Sequence, residues 1–131
     1  RVLKPQGMVS VFENDYSGWS VAKTPQDPLE LCLQAMLRRA NRDFYFCRNL
    51  PGLFEENGFV PSGSLRHYTA LDTGENSYGM TIITRGADTM LKSGQISEQF
   101  CQALKDEAVM RSKSNRFAIC MAYAQCLALK P

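Results

Sequence analysis

The chain has 131 residues, 44% of them hydrophobic, and 15 basic against 13 acidic side chains leave a net charge of +2. That length fits one domain at the usual allowance of roughly 100–200 residues, and the chain reads as a single domain over residues 1–131. The composition excludes a disordered tail, the small net charge announces no nucleic-acid partner, and no run approaches the roughly 20 apolar residues of a membrane-spanning helix.

Arg1-Val-Leu-Lys-Pro-Gln-Gly7 reads as the end of a helix and a turn, since Pro5 cannot continue a helix and Gly7 tolerates turn geometry. Met8 to Phe12 is a short apolar run with two valines, the pattern of a buried strand. It stops at Glu13, Asn14, Asp15 and Tyr16, and a loop carrying the only tryptophan, Trp19, follows from Ser17 to Gln26. Asp27-Pro28-Leu29-Glu30 is a helix start: Asp27 caps, Pro28 suits the first helical position, and Glu30 sits where a capping box wants a carboxylate. Leu29, Cys32, Leu33, Met36, Leu37 and Ala40 then fall on one helical face, with Arg38, Arg39 and Arg42 near the end, where positive charge suits the macrodipole. A shorter helix covers Leu50 to Asn57 and stops at Gly58.

Ser64 to Leu71 alternates in the manner of a strand, and Asp72 to Asn76 is a loop. Tyr78 to Leu91 is helical, ended by Gly94. Ser97 caps a further helix through about Ser112 that buries Phe100, Leu104, Ala108 and Met110. Phe117 to Leu129 is long enough for a helix or a strand, and its place after a short polar stretch favours a strand. Strands separated by helices argue an α/β layered domain.

The residues that could carry chemistry are few. Five cysteines, an odd number without a C-x-x-C pair, and one histidine make a zinc site or a disulfide scaffold a poor fit, so the thiols read as small buried hydrophobes. With no secretion signal visible, the compartment expected is the cytoplasm. Asp72-Thr73-Gly74 has the tripeptide of an aspartic protease, but Glu75 follows it and the helices contradict an all-β fold, so turn chemistry explains it better. His67 is the only imidazole, sits mid-strand, and reads as a structural or surface residue; no G-x-S-x-G elbow accompanies it. The nine glycines never form G-x-G, so neither a dinucleotide loop nor a phosphate-binding loop is present.

Three stretches together resemble one family. Arg1-Val-Leu-Lys-Pro-Gln-Gly7, with the apolar strand after it, is similar to the R-x-L-K-P-G-G turn between the fourth helix and fifth strand of class I S-adenosylmethionine-dependent methyltransferases, with Gln6 in place of the first glycine. Arg48 to Phe59 resembles the phrase that leads into the family's sixth strand, and Phe117 to Pro131 is similar to its last, antiparallel strand. The resemblance covers the chain in the family's order.

It implies a partial Rossmann-like sheet of about three strands, one antiparallel, with helices on its faces and a helical insertion before the last strand. Strand seven is expected to run antiparallel between strands five and six. The chain would then be the C-terminal, acceptor-side part of the fold, shaping the pocket of a small-molecule acceptor and inactive alone. The glycine-rich loop and acidic residue that hold S-adenosylmethionine in the family lie elsewhere, so no cofactor is expected on this chain by itself. Whether it is an enzyme is therefore left open, and the alternative is a non-catalytic α/β module that binds a small molecule or a protein partner.

Ligands in open α/β sheets lie beyond the carboxyl ends of the strands. That rule selects Glu13, Asn14, Asp15 and Tyr16, nearby Trp19, and Tyr78 and Met80 of the insertion as pocket residues, with Glu13 or Asp15 as a base towards an acceptor hydroxyl. The first strand would have an unpaired apolar edge, which either a second copy of the chain or a missing N-terminal half would cover.

Overall fold

The computed structural model describes residues 3–40 and 43–131, so the expected helix end at Arg1 and the third arginine of the cluster, Arg42, lie outside the described residues. The architecture is mixed α/β: β1 (Met8–Asn14), α1 (Pro28–Arg39), α2 (Phe46–Glu56), β2 (Val60–Pro61), β3 (Arg66–Thr73), α3 (Tyr78–Lys92), α4 (Glu98–Lys113) and β4 (Ala118–Leu129). The strands form one open sheet in the order β1-β4-β2, and β3 also pairs with β4. β1 runs antiparallel to β4 from Met8 opposite Leu129 to Asn14 opposite Tyr123. β2 is antiparallel to β4 as well, with Val60 opposite Leu129. The sheet has one strand more than expected because β2 is two residues long, too short to show any alternation.

Contacts gather the chain into two compact units, one of Arg1–Gly18, Asp43–Thr69 and Met121–Pro131, the other of Trp19–Arg42 and Ala70–Cys120. In the first, the Gly7 amide donates to the Lys4 carbonyl at 2.9 Å across a turn with Pro5 and Gln6 at its centre. Gln6 holds φ at +64°, the sign a type II turn demands after a proline. The turn joins the end of β4: the Gln6 amide donates to the Lys130 carbonyl at 2.8 Å, and the Lys130 amide donates to Gly7 at 2.9 Å.

β1 is not the buried strand its valines suggested. It lies at the end of the strand order, and the Val9–Val11–Glu13 face and the terminal Asn14 are partly covered, while Met8 and Phe12 are more than half exposed. Phe12 instead packs on its own face, stacked on Tyr123 at 5.5 Å between ring centres and tilted against Tyr68 at 5.7 Å.

α2 begins at Phe46, four residues ahead of the expected Leu50, and carries Pro51 inside. The missing proline N–H costs a helical bond, but the early turns bury Cys47 and Leu50 against Ala124 and Cys126, and that packing holds them helical. Its end follows the Schellman pattern: Gly58, at φ +77°, donates to Glu55 and Phe59 donates to Phe54, whose ring Phe59 meets at 5.9 Å.

The second unit is mostly helical. Asp27 caps α1 by accepting from the Leu29 amide, with Pro28 at the first helical position. Glu30 does not complete the expected capping box. Its carboxylate accepts from the Val21 and Ala22 amides and the Ser20 hydroxyl, pinning the incoming loop. α1 buries Leu29, Cys32, Leu33 and Leu37, while Ala40 lies past the last turn and is exposed. α3 crosses α1 where Gly86 passes the Cys32 carbonyl, an approach only a residue without a β-carbon permits.

Ser97 caps α4, whose buried stripe is Cys101, Leu104, Ala108 and Ser112. Phe100 and Met110, expected in the core, are exposed, because each falls one or two residues off that stripe and so on a different side of the helix. In β4 the buried positions switch from Ile119 and Met121 to Ala124, Cys126 and Ala128, a change of parity along one strand.

Candidate functional site

The carboxyl end of β1 carries a linked group of polar side chains in the first unit. The Asp15 amide donates to the Ala122 carbonyl at 2.9 Å, which fixes the chain where it leaves the sheet. Asp15 is buried, at 4% exposure. Its Oδ1 accepts from the Ser17 hydroxyl at 2.5 Å and from the Ser17 amide at 3.3 Å, and its carbonyl accepts from the Gly18 amide at 3.0 Å. These bonds close a short 3-10 turn over Tyr16–Gly18, the local structure an aspartate favours at such a position.

Oδ2 of Asp15 lies 3.7 Å from Nδ1 of His67, which projects from β3 with half of its side chain exposed. Arg48, in the first turn of α2, donates through Nη2 to the Ser17 hydroxyl at 2.8 Å and stands 5.3 Å over the Tyr45 ring. A continuous set of contacts therefore runs from Arg48 through Ser17 and Asp15 to His67, drawing on three separate segments: α2, the turn after β1, and β3.

Two neighbours are committed elsewhere. Glu13 accepts from the Asn14 amide at 2.8 Å and the Asn14 side chain at 3.0 Å. Cys47 donates its thiol to the Asn14 carbonyl at 3.3 Å. Burial pushes that thiol up, and the charges of Asp15, Glu13 and Asp43 push it further, which disfavours the thiolate.

Of the residues selected from the sequence, Glu13, Asn14, Asp15 and Tyr16 stand together at this strand end. Trp19, Tyr78 and Met80 belong to the other unit. Trp19 is a buried core residue, Tyr78 is exposed at the start of α3, and the Met80 amide donates to the Ser77 cap at 3.1 Å. Sequence reading missed Ser17 and Arg48, and set His67 aside. Its only cue was that His67 is the single histidine, because pairing β3 with the turn after β1 requires the fold.

The second unit holds a cleft of about 450 Å³ lined in part by Lys23, Asp27, Glu107, Arg111 and Arg116. Its two carboxylates are both held by Arg111. Arg111 donates to Asp27 and to Glu107, each at 2.6 Å, and Asp27 also accepts from the Lys23 amide at 2.9 Å. This is a clamp between the loop before α1 and α4 rather than an open site. Asp72 of the D-T-G tripeptide accepts from the Gly79 amide at 2.7 Å and so braces the start of α3, which is turn chemistry.

Among the described residues no group of three or more His, Cys, Asp or Glu side chains is placed to hold a metal ion. All five cysteines are free, four of them buried and Cys120 half-buried. No helix among the described residues is long and apolar enough to cross a membrane. No family model matches the chain, and no curated protein matches it.

Proposed function

We propose that this chain is the C-terminal, acceptor-side portion of a class I S-adenosylmethionine-dependent methyltransferase that acts on a small molecule in the cytoplasm. The observation that carries this reading is the place of β4, which runs antiparallel between β1 and β2. That is the order the resemblance assigns to the family's fifth, seventh and sixth strands. The turn before β1 supports it independently: Gln6, at φ +64°, occupies the position where the family pattern has a glycine. Five free cysteines agree with a reducing compartment.

The residues present do not fit S-adenosylmethionine as the family holds it. β1 and β3 are each followed by a helix, yet the glycines in those connections, Gly18 and Gly74, stand singly and form no glycine-rich loop. In this reading cofactor binding falls to residues outside 1–131, and this chain contributes the Asp15–His67 group to the acceptor side. The outer edge of β1 is covered by that other half of the fold or by a second copy of the chain.

Calorimetry with S-adenosylmethionine on residues 1–131, and on the product of the whole reading frame, tests the proposal. Binding by the longer product alone is the expected result. Tight binding by residues 1–131 overturns the division of labour. A reading frame with no glycine-rich strand–loop–helix ahead of Arg1 overturns the methyltransferase reading and leaves the non-catalytic module. A clean monomer of residues 1–131 in size measurement overturns self-association.

A further inference from the structure

We propose that His67 is the proton acceptor of the site at the end of β1, with Asp15 as its positioning residue, and that the ligand taken there carries a weakly acidic hydroxyl, a phenol or an enol. The proposal rests on the reading above only in treating this strand end as the end that meets the ligand.

A buried carboxylate is costly unless its oxygens are satisfied. The turn that Asp15 closes uses Oδ1, which has both Ser17 donors. It does not use Oδ2, which faces the Nδ1 of His67 at 3.7 Å. A histidine that is merely a surface residue of a strand needs no such acid behind it. A carboxylate on the Nδ1 side leaves Nε2 as the ring nitrogen open to accept a proton from a ligand.

The side chain of His67 is 53% exposed, so a ligand can reach the ring while its acid stays dry. Arg48 and Ser17 fix the carboxylate from behind, which gives the pair a set orientation rather than a chance contact. Three described neighbours are engaged otherwise. Glu13 is folded onto Asn14, Cys47 is a buried thiol bonded to the Asn14 carbonyl, and Arg48 cannot accept a proton.

The chemistry is a single proton transfer. The ligand's O–H bond breaks, an N–H bond forms at Nε2, and the electron pair remains on oxygen as an oxyanion beside the imidazolium. No oxidant or further reactant is consumed. An imidazole removes a proton readily only from acids not far weaker than itself, which selects phenols and enols over alkyl alcohols.

4-Nitrophenol tests this, because its anion is yellow and its neutral form is not. At a pH where the free probe is mostly neutral, residues 1–131 are expected to bind it as the anion. His67→Gln, at an exposed position that leaves the fold intact, is expected to bind the probe about tenfold more weakly and leave what is bound neutral. Asp15→Asn is expected to reduce the ionised fraction about tenfold. Because Asp15 is buried, Arg48→Met supplies a second variant that leaves both members of the pair in place and is expected to reduce ionisation less.

Probe that fails to bind, that binds neutral to the parent chain, or that ionises equally on His67→Gln overturns the proposal. No cofactor enters this experiment. Ionisation that depends on His67, in a protein whose full reading frame ignores S-adenosylmethionine, would therefore sink the methyltransferase reading and leave this one standing.

Discussion

Arg111 and Asp27 meet at 2.6 Å with their side chains 12% and 1% exposed, tying the residue that caps α1 to the last turns of α4. Burial works to raise the Asp27 carboxyl, but the Arg111 hydrogen bond, the Lys23 and Leu29 amides and the Arg111 charge together outweigh it and hold the carboxyl below its ordinary 3.8. The native state therefore binds this proton less tightly than the unfolded chain does. The stability it contributes is complete above the ordinary value and is lost as the pH falls through the lowered one. Urea midpoints should hold steady between neutral pH and about pH 5 as far as this pair is concerned, then fall below about pH 4. Arg111→Ala, which strands a buried carboxylate, should cost about 3–5 kcal/mol at neutral pH.

Gly86 and Gly52 make a matched pair. A β-carbon at Gly86 would overlap the carbonyl of Cys32, a backbone atom that cannot swing aside, so Gly86→Ala must push α1 and α3 apart. Gly52, inside α2, has nothing within 4 Å of such an atom. We expect Gly86→Ala to lose about 3 kcal/mol or more and Gly52→Ala to gain about 0.5–1 kcal/mol from helix propensity. Chemical unfolding of both variants checks the sign of each, and equal effects would contradict the close crossing.

Among the described residues Gln6 is one of two non-glycine residues at positive φ, the other being Asn115. Asparagine tolerates that region far better than glutamine. Gln6→Gly should therefore raise stability by about 1 kcal/mol, although glycine loses more chain entropy on folding. A lower melting temperature in the variant would mean that the turn is held otherwise.

The cysteines should differ in reactivity. Burial, aided by Cys101 and by the charge of Asp27, pushes the Cys32 thiol up to about 11, and burial raises Cys126 as well. At pH 8 iodoacetamide should label the half-buried Cys120 first and reach Cys32 only on unfolding, as mass spectrometry of a labelling time course would report. Early labelling of Cys32 would contradict a dry contact between α1 and α4.

What the sequence made legible was what short stretches determine by themselves. Asp27 with Pro28, Ser97, Gly58 and Gly94 mark helix ends through bonds to residues within a few positions, and each stands at a helix end in the fold. Glu30 was misread because its partners, Val21 and Ala22, lie in the loop behind it, where no capping rule looks. Phe100 and Met110 were misplaced because α4 is only weakly two-faced, and neighbouring elements decide which stripe is covered. In the candidate site, Asp15 was visible as a polar residue ending a strand. Its partner, fifty-two positions away in His67, was not, because only the pairing of β3 with β4 carries that residue to it.

The division of the chain into two units has a practical side. Four of the five tyrosines, Tyr16, Tyr45, Tyr68 and Tyr123, fall in one unit, while the single tryptophan, Trp19, is buried in the other. Nature has thus placed a different chromophore in each. Fluorescence excited through indole follows one unit, and near-ultraviolet signals dominated by phenol rings follow its neighbour in sequence. Superimposable melting curves from the two would mean a single cooperative transition, and displaced curves would give each unit its own midpoint without any added label.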